Sequence, residues 1–214
     1  MPSISVANMS VMVLRRFSRI LTLVTLIAAC AAAQVIEYEA SGKKYQTLTR
    51  EGLTVIITHM PNHVAGFGLI QVSVANGSGI YWTVKPEDFS YVHENESLTA
   101  ISADQVVNLL LEHGSHADVI KLATSYESNL YAIPHMRTTN GYELRRQNSI
   151  SYGMPQKLEA AAMASAIALA KTRIAPGQST DGAVFIPLTH ETKTLTGGHL
   201  VVHVDGHEFD FNPD

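Results

Sequence analysis

The order of its local patterns most constrains what this chain can become: strand-forming stretches, then helix-forming stretches, then strands again. "GLTVIITH", Gly52 to His59, is rich in β-branched residues and is followed by Pro61-Asn62, which predicts a strand that ends there. "GFGLIQVSVAN", Gly66 to Asn76, alternates as a strand does, with a bulge expected near Ile70. Asn76-Gly-Ser-Gly79 reads as a tight turn, and Pro86 marks a break or an edge. Ser102-Ala-Asp-Gln105 then has the form of a capping box, with Val106, Leu109 and Leu110 as an apolar stripe and Gly114 as the stop. A second helix is predicted over Ala117–Tyr126, and 129–152 reads as a long loop. "PQKLEAAAMASAIALAKTRIAPG" predicts a third helix, with Pro155 in its first turn and Gly177 past its end. Its apolar surface is broad enough to require burial, yet the uncharged run Ala160–Ala170 is far short of the roughly 20 residues that cross a membrane. "DGAVFIPL", "GHLVVHVDG" and "HEFDF" close the chain as strands, with Asp205-Gly206 as a hairpin turn. This succession predicts an antiparallel β-sandwich with a large helical insertion at about 102–172, not a doubly wound sheet.

The N-terminus reads as an address. Arg15, Arg16 and Arg19 precede a short apolar run, Ile20 to Ala29, and small residues follow it, which is the form of a secretory signal. The signal is complete from Met12 onward, so both Met1 and Met12 stand as starts. Ile27-Ala28-Ala29-Cys30 resembles the bacterial lipobox, in which the cysteine is lipidated and becomes the mature N-terminus. Ala31-Ala32-Ala33 fits an ordinary signal-peptidase cut before Gln34. The expectation is a signal over 1–29, lipidation at Cys30, a tether over 30–40 and a single domain over 41–214. Anchoring would then be firm, because each buried CH₂ of an acyl chain contributes about 0.8 kcal/mol. Cys30 is the sole cysteine, so the domain after it must be stabilised by its core without a disulfide. The three signal arginines aside, 12 basic residues stand against 19 acidic ones, a balance of −7 that argues against nucleic acid as a partner.

Several stretches resemble a known group. "VSVAN" with the turn after it and "VKPEDF", Val84 to Phe89, resemble the early strands of secreted bacterial immunoglobulin-like sandwiches. "RIAPGQSTDGAVFIPL" followed by "HLVVHVDGHEFDF" resembles their closing strands. The group is the telokin-like family of immunoprotective extracellular proteins and related lipoproteins. The resemblance implies an immunoglobulin-like sandwich in an extracytoplasmic, non-enzymatic protein. It implies no catalytic residues, and Ser102 to Thr172 departs from it.

Histidine, at 10 copies, is the residue that invites a metal. His199 and His203 lie about 13 Å apart along one strand, too far for one ion. Across the Asp205-Gly206 turn, His203 and His207 with Asp205 are candidate zinc or copper ligands. A second grouping is His113, His116 and Asp118 at a helix boundary, where helix-end charge placement and capping explain the same residues. A third is His59-Met60-Pro-Asn-His63, read as a loop after a strand. Nucleophilic chemistry has little behind it, since there is no G-x-S-x-G elbow and no thiol after Cys30. No cofactor is implied. Tyr142, Arg145 and Arg146 in the long loop are the candidate partner-binding residues.

The function expected is an exported, lipid-anchored, non-enzymatic binding or scaffold protein of the envelope. Its partners would be the membrane, through the anchor, and an envelope protein or ligand of unknown identity. A periplasmic zinc- or copper-binding protein is the alternative, and an extracytoplasmic hydrolase a weaker one.

Overall fold

A computed structural model of the chain describes residues 34–113, 115–130 and 155–212. Four consecutive strands run up and down: β1 (Ile36–Ala40), β2 (Lys43–Arg50), β3 (Leu53–Val64) and β4 (Phe67–Asn76). Each link is two residues ending in glycine: Ser41-Gly42, Glu51-Gly52 and Ala65-Gly66. Both residues of each pair have positive φ, 52° and 73° at the first link and 49° and 83° at the third. That is the backbone of the hairpin turn whose twist matches the strands it joins. β1 takes up residues 36–40, so the tether expected over 30–40 gives way to a strand at its C-terminal end.

The expected end of β3 at Pro61-Asn62 is also corrected. β3 continues through both residues to Val64, and the irregularity lies there, as a register shift between Met60 and Val64. β4 has no bulge at Ile70: it pairs without interruption with β9 (Ser179–Pro187) from Phe67 to Ala75. The apparent break in its alternation comes from burial on both faces, which removes the polar half of the pattern.

β5 (Trp82–Val84), a 3-10 turn at Pro86–Asp88, β6 (Phe89–His93) and β7 (Glu96–Thr99) follow. Then come three helices, α1 (Ala103–His113), α2 (His116–Leu130) and α3 (Gln156–Ile167). The capping box of α1 forms as expected: the Gln105 backbone N–H donates to Ser102 Oγ, and the Ser102 N–H donates to Gln105 Oε1. α3 ends earlier than its alanine content predicts. Ala168 turns extended, and the Leu169 N–H donates to the Ala183 carbonyl at 2.9 Å. The open edge of β9 offers backbone partners there, and pairing overrides helix propensity. β8 (Thr172–Ile174), β10 (His199–Val204) and β11 (His207–Asp210) complete the fold.

The strands form a five-stranded sheet, β1-β2-β3-β4-β9, a four-stranded sheet, β11-β10-β6-β7, and a β5-β8 ribbon, with every strand pair antiparallel. The protein is therefore mainly β, with the helices falling between β7 and β8. One face of the five-stranded sheet carries Met60, Leu69 and Phe185 into a core shared with Val106 of α1, Leu122 of α2 and the buried alanines of α3. Val55, Val72 and Val184 lie on the other face and are equally buried. So are Phe89, Leu200 and Val202 of the four-stranded sheet, which touches the larger sheet at β2 and β9.

Candidate functional site: a cleft between the sheets

The β1-β2-β3 end of the large sheet supplies one wall of a cleft. Register pairs Glu37 with Gln46, Glu39 with Lys44, and Gln46 with Ile57. Because side chains alternate along a strand, these residues and His59 share one pleated face. The opposite wall comes from the start of β10 and the chain after β11, at Gly198, His199 and Phe211. The space between them is about 320 Å³, within the range of small-ligand pockets.

Local chemistry holds both walls in place. The Gln46 amide donates to Glu37 Oε1 at 2.6 Å. His199 Nε2 lies 3.3 Å from Asp210 Oδ1. The Gly198 N–H donates to the Tyr91 hydroxyl at 2.9 Å, and a Cβ at position 198 would meet the Val92 carbonyl at 2.2 Å, so only glycine fits. His59 is exposed along part of its surface, yet burial of the imidazole lowers its pKa and favours the neutral form. The cleft thus offers carboxylates, one ammonium and the imidazoles of His59 and His199, while Ile57 and Phe211 border it but are each only 1% exposed.

Behind this wall, on the helix side of the sheet, is a small polar interior. Tyr45 and Thr58 border both spaces. Thr58, Gln71, Ser73 and Asp181 are buried there against Tyr126 and Asn129 of α2. The Tyr126 hydroxyl donates to Asp181 Oδ2, and the Tyr45 hydroxyl donates to the Asn129 carbonyl at 3.0 Å. Among the described residues Gln71 Oε1 and the Asn129 carboxamide have no hydrogen-bond partner. The adjoining cavity is about 10 Å³, room for a single water.

The histidine groupings do not assemble. β10 and β11 pair His203 with Glu208 and Val204 with His207, so the two imidazoles leave the hairpin on opposite faces. His203 Nε2 lies 3.1 Å from Glu208 Oε2, whereas the His207 ring packs edge-on against Trp82. Asp205 Oδ2 accepts from the Thr83 N–H. At the α1–α2 boundary, His113 lies beside Glu112 on the surface, and Asp118 caps α2 by accepting from the N–H and hydroxyl of Ser115. His116 opens α2. Met60 turns to the helix-side core, away from the face that carries His59, and His63 lies exposed within β3. Among the described residues no three of His, Cys, Asp and Glu gather as a metal site. Cys30, Tyr142, Arg145 and Arg146 lie outside the described residues.

The cleft residues Glu37, Glu39, Lys44 and Gln46 fall in one stretch, "EYEASGKKYQ", which was not singled out from the sequence. A two-residue Ser41-Gly42 turn sets Glu-x-Glu across from Lys-x-Gln, but no Asn-Gly or Asp-Gly pair announces that turn. No family model, no curated protein and no solved structure matches the chain.

Proposed function

We propose that this chain is an exported, lipid-anchored, non-enzymatic binding domain of the cell envelope, with an immunoglobulin-like strand order and its ligand seat in the inter-sheet cleft. The single observation that carries the binding reading is that cleft, about 320 Å³ of space with polar side chains on facing walls. The strand order supports the immunoglobulin-like reading. β3-β4-β9 corresponds to strands A-B-E, and β7-β6-β10-β11 to C′-C-F-G. The helices would then be an insertion in the C′-to-E connection, with β1 and β2 extending the A edge. The anchor rests on Ile27-Ala28-Ala29-Cys30.

Two measurements test the proposal. The intact mass of protein taken from its own membrane should fit an acylated Cys30, and Cys30→Ala should lose that mass. A free N-terminus at Gln34 would remove the anchor. A fragment library screened by ¹H–¹⁵N NMR should shift the amides of His59, Gly198 and His199. Fragments that bind only elsewhere, or no fragment at all, would remove the cleft as the seat.

A further inference from the structure

The large apolar side chains left exposed fall into two sets. Leu111, Ile120 and Leu158 are spread one to each helix, and single residues scattered in this way are ordinary. Ile36, Ile80 and Tyr81 are the only ones among the described strands and loops, each more than half exposed, and they lie toward one end of the five-stranded sheet. β1 runs antiparallel to β2, so the chain enters β1 from the end that carries the β2–β3 turn and the close of β4 at Asn76. The loop after β4 is seated on that turn, with the Gly77 N–H donating to the Gly52 carbonyl at 2.8 Å. Ile80 and Tyr81 stand exposed in this loop, and the Arg173 guanidinium lies over the Tyr81 ring, 4.3 Å from its centroid.

From this arrangement we infer that this end of the sheet is a lipid-facing surface: in the anchored protein Ile80 and Tyr81 rest in the headgroup layer of the bilayer, with Arg173 at its phosphates. The inference rests on the acyl anchor at Cys30 and adds how the domain sits on the membrane. Ile36 is the sixth residue after Cys30. Extended chain spans at most about 3.6 Å per residue, so the anchor is within about 20 Å of the start of β1. A small folded domain is about 30 Å across. A bilayer therefore fits against this end, and a protein partner between the two does not. A tyrosine ring suits the headgroup layer, and a guanidinium suits phosphate. The exposed Arg50 and Glu51 of the turn offset each other, so the contact depends on the apolar side chains more than on net charge.

The test uses the chain from Cys30 onward, its sole thiol coupled to a maleimide phospholipid in a phosphatidylcholine nanodisc. The attachment point is then fixed whether or not the cell acylates it. Lipids with nitroxide headgroups should broaden the amides of Glu51, Gly79, Ile80 and Tyr81 in ¹H–¹⁵N spectra. The amides of Ala65 and Gly66, about 30 Å away at the other end of β4, should keep their intensity. Ile80→Ser combined with Tyr81→Ser should remove most of the broadening at Glu51 and Gly79. Both positions are exposed, so this variant keeps the fold. Equal broadening at the two ends, or broadening unchanged in the variant, would overturn the inference. An unacylated Cys30 in protein taken from its own membrane would remove the anchor, while Ile80 broadened in the coupled chain would still uphold the surface.

Discussion

Single atoms decide several positions in this fold. Gly182 lies in β9 where Leu169 runs alongside, and a Cβ there would sit 2.5 Å from the Leu169 Cα. Backbone cannot give way as a flexible side chain can. Gly182→Ala is expected to lower stability by about 3 kcal/mol, read from the urea midpoint. His59 gives a pH signature. Its folded pKa is held below the ordinary 6.5 by burial, so on acidification the unfolded chain takes up the proton first. Stability should therefore fall as the pH drops from about 6.5 toward the lower folded value. His59→Gln should flatten that slope in urea titrations across the same window, and a slope unchanged by the substitution would assign it to another group.

At the scale of elements, the turns are the chain's repeated device. Asp205-Gly206 has φ values of 47° and 84°, the same form as the three links of the first sheet. Glu51 holds φ at 50° without the side-chain advantage of asparagine or aspartate. Glu51→Asn should therefore raise stability by about 0.5 kcal/mol, seen as a higher thermal midpoint. The same turns explain what was readable. Asp205-Gly206 stood out in the sequence, whereas Ser41-Gly42 and Ala65-Gly66 did not, because serine and alanine lack the left-handed preference of asparagine and aspartate that marks such a turn. The capping box at Ser102 was legible because it is a local pairing of two side chains. The early end of α3 was not, since it depends on the edge of a strand more than ten residues further on. The histidines misled for a related reason: nearness across a turn sets no common face until register is known.

At the scale of the whole molecule, the five-stranded sheet is shared by both cores. Neither the helical layer nor the second sheet can separate without exposing it. Val35–Asp214 is accordingly one compact unit. Trp82, the only tryptophan, is 1% exposed and donates to Ser78 Oγ at 2.8 Å, so its emission reports on that end of the molecule. Its transition in urea should coincide with the far-UV circular dichroism of the helices and sheets, as two-state unfolding requires. Separated midpoints would mean that the helical layer melts on its own.

β4 stands at the centre of this arrangement, bonded on one side to β3, on the other to β9, and covered above and below. Its amide hydrogens have no local route to solvent. Deuterium should enter them only when the entire unit opens, so their exchange rates measure the global free energy of folding, while the amides of the outermost β1 report the fraying of one edge.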